Sequence, residues 1–225
     1  KTDDEAMVIF DQTVFYAESG GQAADTGEIV GYGEVLGVQK APHGQHLHQV
    51  KLNQTLQVGQ KVHLRIHREK RLLSMRNHSS IHLLNALLRK KLGEHVEQAG
   101  SYLDDSYFRF DFSHYESLGN DTLKELEKEM NELIARAIEV ETIETDLKTA
   151  ESMGALAFFE DRYGDTVRVV KMGDVSAELC GGTHVKNTED IGVVKLIREE
   201  SVGSGVRRIV GTSSLNAVKH YESYL

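Results

Sequence analysis

The sequence predicts an α+β fold, in which a small N-terminal β-barrel-like region precedes a domain built of sheets and helices. Residues 1–66 contain several short segments of β-forming residues, separated by glycine, aspartate and asparagine. A long helical pattern follows directly, and strand and helix patterns then alternate as far as residue 213. This order of elements, strands followed by a mixture of strands and helices, is typical of an α+β protein.

The first region, residues 1–66, is predicted to form a glycine-rich subdomain made of short strands. Its strand-like segments are MVIF, QTVFYAE, EIVGYGEVLGV, HLHQV and KVHLRIH. Short strands joined by glycine turns favour a small barrel or a curled sheet. His46 and His48 alternate along one of these strands, and we interpret them as surface residues because no third metal ligand is near them in sequence.

The second region, residues 67–213, opens with an amphipathic helix from near Arg68 to about Leu92, and Gly93 is a normal helix stop. An acidic segment, residues 121–141, is predicted to be the solvated face of another amphipathic helix. Residues 214–225 are predicted to begin a C-terminal helix or linker. The strand-like segments of this region are SYLDDSYFRFDFS, TVRVVKM, VSAELC, IGVVKLIREES and GVRRIVGTS.

Composition narrows the class of protein. The chain has 225 residues, of which 40% are hydrophobic and 27% charged, as in soluble globular proteins. It contains no apolar run long enough to cross a membrane, and its single cysteine, Cys180, is typical of a reducing compartment such as the cytoplasm. The net charge of -9 argues against a surface that is basic throughout, although a local basic patch remains compatible with it. The Lys1 start and the unfinished tail predict a fragment of a longer chain.

A basic stretch at residues 61–76, KVHLRIHREKRLLSMR, contains three candidate phosphate-binding residues, Arg68, Lys70 and Arg71. Two interpretations remain open for it. The stretch forms either an ordinary solvated face or a patch that binds phosphate groups, which clustered Lys and Arg commonly do.

Two pairs of potential metal ligands stand out. His78 and His82 are four residues apart in RNHSSIHLLNALL, so on a helix their rings leave the same face. Cys180 and His184 are also four apart, in AELCGGTHV. Either pair alone has an ordinary structural interpretation, but together they offer four ligands of the kind that zinc prefers. We therefore predict a zinc site.

The type of zinc site is not decided by these residues. Ser79 occupies the position where a zinc peptidase with the His-Glu-x-x-His motif carries its catalytic glutamate, which argues against a metalloprotease. Four protein ligands would close a structural site, whereas a catalytic site keeps one position for water or substrate. Both arrangements remain open at this point.

The combined motifs resemble the editing domain of alanyl-tRNA synthetase and its free-standing relatives. The segments that carry the resemblance are HSSIHLLNALLRKKLG, ELCGGTHV, DQTVFYAESGGQAADTGEI, HVEQAGSYL and SGVRRIVG. The likeness extends from about Val14 to Thr212. Threonyl-tRNA synthetase has a related zinc-type editing module that lacks the glycine-rich region. Ala23 stands where free-standing relatives usually have proline, which favours the form embedded in a synthetase.

The resemblance implies hydrolysis of tRNA(Ala) mischarged with serine or glycine, with Zn²⁺ as cofactor and the rest of the parent synthetase as a partner. It makes His78, His82, Cys180 and His184 the metal ligands. The alternatives are a non-catalytic tRNA-binding module with a structural zinc, and a hydrolase of another ester or amide. No membrane partner is expected.

Three residues outside the metal ligands are catalytic candidates, two from the resemblance and one from strand geometry. Gln98 matches a family position tied to editing and is expected to hydrogen-bond the substrate or the attacking water. Thr13 is the candidate for recognising the serine hydroxyl, since a site that hydrogen-bonds this group can reject alanine. If VSAELC is extended, Glu178 shares a face with Cys180 and serves as an outer-sphere acceptor or a weak general base. An exposed strand position is the more ordinary interpretation of Glu178.

The remaining candidates concern binding. Gly20, Gly21 and Gln22 are expected to lie against the aminoacylated end of the tRNA, while Asp25 closes the same turn. Arg208 either contacts phosphate or the terminal adenosine or merely flanks a strand. In this context the candidate tRNA contacts of the basic stretch are Arg68, Lys70 and Arg71.

Overall fold

A computed structural model describes residues 4–157 and 164–223, and these residues confirm the predicted α+β class. The chain forms two compact units, residues 1–72 and residues 73–225, and the division lies inside the first long helix. The boundary predicted from sequence, after residue 66, lies six positions before this division. No helix in the described ranges is both long and apolar enough to cross a membrane.

The first unit contains one five-stranded antiparallel sheet, in the order β1-β4-β3-β2-β5. No pairing joins the edge strands β1 and β5 among the residues described, so the predicted barrel-like closure is not confirmed and the sheet is an open one. Its strands are β1 (Asp4–Val8), β2 (Gly27–Ile29), β3 (Gly33–Lys40), β4 (His46–Leu52) and β5 (Leu64–Ile66).

The segment QTVFYAE is not the strand that its composition predicted. Residues 9–17 form no ladder with a neighbouring strand, although Phe15 and Ala17 are buried in the core of this unit. Two backbone amides here donate to side chains instead: the Phe15 amide donates to the Thr13 hydroxyl (3.1 Å), and the Tyr16 amide donates to Asp25 Oδ2 (2.8 Å). Local side-chain hydrogen bonds of this kind compete with sheet formation.

The second unit contains two antiparallel sheets, one in the order β10-β9-β8 and one in the order β11-β12-β7-β6. Its helices are α1 (Arg68–Leu92), which begins in the first unit, α2 (Gly119–Ala135), α3 (Leu147–Ser152) and α4 (Ser214–Glu222). Its strands are β6 (Gln98–Leu103), β7 (Phe108–Ser113), β8 (Val140–Thr145), β9 (Val167–Met172), β10 (Ser176–Leu179), β11 (Val194–Gly203) and β12 (Val206–Ser213).

One element boundary differs from the prediction, and one predicted element is confirmed. The acidic helix α2 ends at Ala135, and the last part of the predicted helix instead forms strand β8, where Val140, Thr142 and Ile143 favour an extended backbone. The tail forms α4 as its pattern indicated, and residues 224 and 225 of the predicted segment lie outside the described residues.

The core of the second unit surrounds helix α1. Phe108, Phe110 and Phe112 on one face of β7 are each 0% exposed, and they pack in one cluster with the leucines of α1. Every residue of α1 from 77 to 85 is buried, including six polar ones. Because buried polar groups require partners, this stretch of helix must be matched by hydrogen-bonding groups or by a ligand. This stretch of α1 is therefore the first place to look for a ligand site.

Candidate metal centre

His78, His82, Cys180 and His184 converge on one point in the second unit. One donor atom from each residue lies within 4.8 Å of the other three. Helix α1 carries the first two side chains on one face, and Cys180 directly follows strand β10. The His78 and His184 rings have their centroids 4.2 Å apart, and the His82 and His184 rings 4.4 Å. The four side chains that the sequence indicated as ligands are thus brought together by the helix spacing and by the turn that carries Cys180.

Two of the donor separations match those in a tetrahedral zinc site. Cys180 Sγ lies 3.4 Å from His78 Nε2 and 3.3 Å from His184 Nε2. A tetrahedral zinc with bonds of about 2.0–2.3 Å holds its ligand atoms about 3.3–3.8 Å apart. Three imidazole nitrogens and one sulfur are also the donor types that zinc selects. The residues present therefore fit the metal that was predicted.

The protonation states of the four side chains agree with this assignment. Burial lowers the pKa of His82 to about 3, with the charge of Arg168 as the second cause, and it holds the pKa values of His78 and His184 well below their ordinary value. All three imidazoles are therefore neutral at pH 7 and keep a lone pair for a cation. Burial raises the pKa of the Cys180 thiol to about 11. A metal would have to displace the thiol proton.

Ser79, which follows His78 on α1, orients the His184 ring. Its hydroxyl oxygen lies 3.0 Å from His184 Nδ1 and accepts a hydrogen bond from the Val185 amide at 3.2 Å. With Nδ1 held by Ser79, the Nε2 atom of His184 is the one that faces Cys180. Ser79, which argues against a peptidase mechanism, therefore positions the His184 ring.

Glu178 is buried against His82, which corrects the expectation of an exposed strand position. The strand is extended as predicted, but the glutamate is only 4% exposed, and its Oε2 atom lies 3.1 Å from His82 Nδ1. The distance is that of a hydrogen bond, although the alignment falls short of the ideal geometry. The other carboxylate oxygen accepts from the Asn85 amide. Burial raises the pKa of Glu178 to about 7.

Arg168 on β9 fixes the turn that carries Cys180. Its guanidinium donates to the carbonyl oxygens of Cys180 (2.8 Å) and Gly182 (2.7 Å). The Gly182 amide in turn lies 3.4 Å from Cys180 Sγ. A backbone amide near the sulfur stabilises a thiolate, and so does the nearby guanidinium charge.

Sequence reasoning missed three of these supporting residues, Ser79, Asn85 and Arg168. Asn85 could have been found, because it lies seven residues after His78 and three after His82, on the same face of an otherwise apolar helix. Ser79 and Arg168 gave no such signal, since each depends on a contact with a residue far away in sequence.

In the first unit, the glycine motif forms a tight turn. Gly20 (φ 58°) and Gly21 (φ 83°) both adopt the left-handed conformation, and the Ser19 and Gln22 backbones exchange hydrogen bonds across them. Other residues would be strained at both positions. Gln22 is buried. The substrate contacts predicted for these three residues remain predictions.

The basic residues of the first unit differ in their surroundings. Arg68 and Lys70 are exposed on the first turn of α1. Arg71 instead forms an ion pair with the buried Asp25 and also donates to the Val14 carbonyl at 3.2 Å. Its guanidinium thus ties the glycine-rich segment to the start of the helix. The tRNA contact predicted for Arg71 remains a prediction, and the guanidinium of this residue is already engaged by Asp25 and by the Val14 carbonyl.

Gln98 and Arg208, both predicted to contact the substrate, are each held by a neighbouring side chain. Gln98 is half-buried at the start of β6, next to a bulge, and its amide donates to Ser101 Oγ at 3.1 Å. Arg208 on β12 makes a two-point ion pair with Asp111, at 2.7 and 2.8 Å. Both side chains are therefore held in place, and their roles toward substrate remain predictions.

Comparison with known proteins agrees with the motifs. The family described as "Threonyl and Alanyl tRNA synthetase second additional domain" matches residues 167–210, which include Cys180 and His184. The family described as "tRNA synthetases class II (A)" matches residues 1–70. Alanine–tRNA ligases of Streptococcus pyogenes serotype M5 (strain Manfredo) and serotype M3 (strain ATCC BAA-595 / MGAS315) are each 46% identical over 224 residues, 97% of this chain and 26% of theirs. The chain is thus homologous to part of the alanine–tRNA ligases.

These matches confirm the resemblance drawn from the motifs. The chain spans about a quarter of the length of the curated relatives that it matches. Within that quarter, the matched segments contain both the glycine-rich loop and the cysteine half of the metal centre. The shared region therefore corresponds to the editing part of the family.

Proposed function

We propose that this chain hydrolyses the ester bond of tRNA(Ala) carrying serine or glycine, in a zinc-dependent proofreading reaction. The convergence of three histidines and one cysteine within 4.8 Å, in a segment homologous to alanine–tRNA ligases, is the observation that carries the proposal. The partners are mischarged tRNA(Ala) and the rest of the parent synthetase, and the place of action is the cytoplasm.

The proposed chemistry needs little from the protein, because an aminoacyl ester is already activated. Water adds to the ester carbonyl carbon, the bond from that carbon to the ribose oxygen breaks, and the ribose oxygen takes up a proton. A zinc ion held by His78, His82, Cys180 and His184 would supply Lewis-acid chemistry, which polarises a carbonyl and lowers the pKa of water. Gln98 is proposed to orient the substrate or the water through its side-chain amide.

Glu178 is proposed to act through His82. As the acceptor for the Nδ1 proton of His82, its carboxylate would fix the tautomer that offers Nε2 to the metal. Its burial and its contact with Asn85 support this role over that of a general base, because a base needs access to the water that it activates.

Substrate binding is proposed for further residues outside the metal centre. Arg68 and Lys70 are the proposed phosphate contacts, since both are exposed. The Gly20–Gly21 turn lacks Cβ atoms, which would allow the aminoacylated end to approach its backbone, with Gln22 beside it. Arg208 is proposed to contact the terminal nucleotide with a guanidinium that Asp111 holds in position.

One observation favours a second candidate, a tRNA-binding module with a structural zinc. Four donors within 4.8 Å can close a tetrahedral site completely, and closed sites are typical of structural zinc. Such a module would bind tRNA and zinc but would not release amino acids.

Release of serine by the purified chain distinguishes the two. Ser-, Gly- and Ala-tRNA(Ala) would each be incubated with the zinc-loaded chain, and release of the labelled amino acid would be followed over time. We expect release of serine and glycine far above the spontaneous rate, and release of alanine close to it. Binding of all three tRNAs without release above background would instead support the structural module.

A further inference from the structure

Thr13 has a partner that sequence analysis did not anticipate. Its hydroxyl oxygen lies 2.7 Å from Nε2 of His48, a residue 35 positions away on strand β4. His48 was expected on the surface but is 0% exposed. Its ring packs edge-on against Phe10 and Phe15, with centroid distances of 4.8 and 5.5 Å. The ring is therefore immobilised inside the first unit.

The proton positions in this pair follow from a second contact. Nδ1 of His48 lies 3.0 Å from the backbone carbonyl oxygen of Val8. A carbonyl oxygen only accepts hydrogen bonds, so Nδ1 must carry the proton. Burial lowers the pKa of His48 below its ordinary value, which keeps the ring neutral at pH 7. In a neutral imidazole with a proton on Nδ1, Nε2 is an acceptor.

The Thr13 hydroxyl must therefore donate its only proton to His48. Its oxygen also accepts a hydrogen bond from the Phe15 amide, at 3.1 Å. A hydroxyl has one proton and two lone pairs. One lone pair is thus left, and the hydroxyl is limited to accepting one further hydrogen bond.

We propose that His48 positions Thr13 as a hydrogen-bond acceptor for the side-chain hydroxyl of the amino acid to be removed. Two linked hydrogen bonds, from His48 to the Val8 carbonyl and from Thr13 to His48, fix the direction of the bond that Thr13 can form with the substrate. The inference rests on the proposed function, because it specifies how the proposed reaction selects serine. It assigns to His48 a positioning role and no contact with the substrate.

This arrangement has a consequence for selectivity. A freely rotating hydroxyl can turn its proton toward whatever lies opposite, whereas a hydroxyl whose proton is committed to His48 presents only a lone pair. A ligand whose side chain donates a hydrogen bond is favoured, and the methyl group of alanine leaves the lone pair of Thr13 without a partner. Glycine has no side chain, so a water molecule can take the place of the hydroxyl and donate to Thr13. Loss of the His48 acceptor would free the Thr13 proton and weaken this preference.

Two substitutions at one position separate the positioning role from a merely structural one. His48→Asn keeps a donor near Val8 but is too short to reach Thr13. His48→Gln reaches Thr13 with an acceptor oxygen but loses the donor to Val8. Both remove the buried ring, so both are expected to lower thermal stability to a similar extent. Only His48→Gln retains the acceptor that the proposal requires.

The readout is the ratio of the deacylation rates of Ser-tRNA(Ala) and Ala-tRNA(Ala), measured with the zinc-loaded chain. We expect His48→Asn to lower this ratio roughly tenfold, as the loss of one oriented hydrogen bond implies. His48→Gln should restore most of it. In the Thr13→Val background, His48→Asn should change the ratio no further, because the two residues act as one unit. Equal ratios for wild type and His48→Asn would overturn the inference, as would equal losses in His48→Asn and His48→Gln.

A spectroscopic measurement tests the same inference without activity. In the chain labelled with ¹⁵N-histidine, the His48 resonances should show a protonated Nδ1 and an unprotonated Nε2 at pH 7. The opposite tautomer would overturn the inference even if the chain is active. Absence of serine release by the wild-type chain would overturn the proposed function, and with it the role of His48 in selectivity, whatever the tautomer.

Discussion

Nδ1 of His82 on helix α1 lies 3.1 Å from Oε2 of Glu178 on strand β10, and both side chains are buried. Asn85, one turn further along α1, donates to the other carboxylate oxygen. The carboxylate is thus held between two residues of the same helix, one of which is a candidate metal ligand. This contact gives the metal centre an outer layer in addition to its four donors.

Replacement of Glu178 by glutamine should weaken zinc binding by about tenfold or more, as loss of an outer-sphere partner commonly does. Glutamine has one acceptor oxygen, which can serve Asn85 or His82 but not both, and its NH₂ group would then face a second donor. The zinc affinity would be measured by competition with a chelating dye. Glu144→Gln, at an exposed position of β8, is the matched control. Equal affinities for the two variants would contradict the role assigned to Glu178.

Removal of a donor should remove the metal. We expect about one zinc per wild-type chain, since one tetrahedral ion uses all four donors. Cys180→Ala and His78→Ala should each lose both zinc and deacylation. Metal content would be measured by mass spectrometry after dialysis, with His43→Ala, an exposed histidine in a loop, as the control. Full zinc occupancy in both variants would show that the ligands have been assigned wrongly.

Zinc binding should release between one and two protons per ion at pH 7. The pKa of the Cys180 thiol is raised to about 11, so the metal-free thiol carries a proton that zinc must displace. Glu178, with a pKa of about 7, is partly protonated beside His82 and loses the rest of its proton when a cation binds. The three imidazoles have lowered pKa values, so each is already neutral and its metal-binding nitrogen carries no proton. The affinity for zinc should therefore rise with pH across the neutral range. Calorimetric titration in buffers of different ionisation enthalpy measures the count, and zero or three protons would contradict this account.

The sequence was most informative where spacing alone determines proximity. Two histidines four apart on a helix must share a face, and so the metal ligands of α1 could be predicted without a structure. Glu178 and His48 were both expected on the surface, yet both are buried, because each is covered by elements distant in sequence. Local composition does not contain that information.

The helices and strands also differ from prediction where contacts between distant segments determine the structure. The aromatic and β-branched residues of QTVFYAE predicted a strand, but the hydrogen bonds of Thr13 and Asp25 hold the segment as a loop. The end of α2 at Ala135 was missed because residues 140–145 pair with β9, a contact between segments that are far apart in sequence. Pairing partners of this kind override local helical pattern.

Charge reversal at Arg68 and Lys70 should weaken tRNA binding and reduce the dependence of affinity on salt, since fewer phosphates would be neutralised. The rate at saturating tRNA should change little. Lys40→Glu combined with Lys219→Glu is the control, because it changes the net charge equally at exposed positions elsewhere. Binding would be measured over a series of salt concentrations. The same salt slope in wild type and in the Arg68 and Lys70 variant would mean that these residues form only a solvated face.

Replacement of Thr13 by valine should lower the cleavage of Ser-tRNA(Ala), while Ala-tRNA(Ala) is cleaved as slowly as before or faster. Valine keeps the shape and β-branching of threonine but deletes the hydroxyl proposed to bind serine. An unmade buried hydrogen bond costs about 1–3 kcal/mol, which corresponds to a loss of at least several-fold in rate.

Thr13→Ser separates recognition from folding. Valine also removes the hydrogen bonds to His48 and to the Phe15 amide, so some loss of stability is expected whatever the role of Thr13 in selectivity. Serine retains the hydroxyl and should therefore retain most of the preference for the seryl ester, despite the missing methyl group. The decisive quantity is the ratio of the deacylation rates of the seryl and alanyl esters in wild type, Thr13→Ser and Thr13→Val. Equal losses on both esters in Thr13→Val would show that Thr13 supports the loop and does not recognise the hydroxyl.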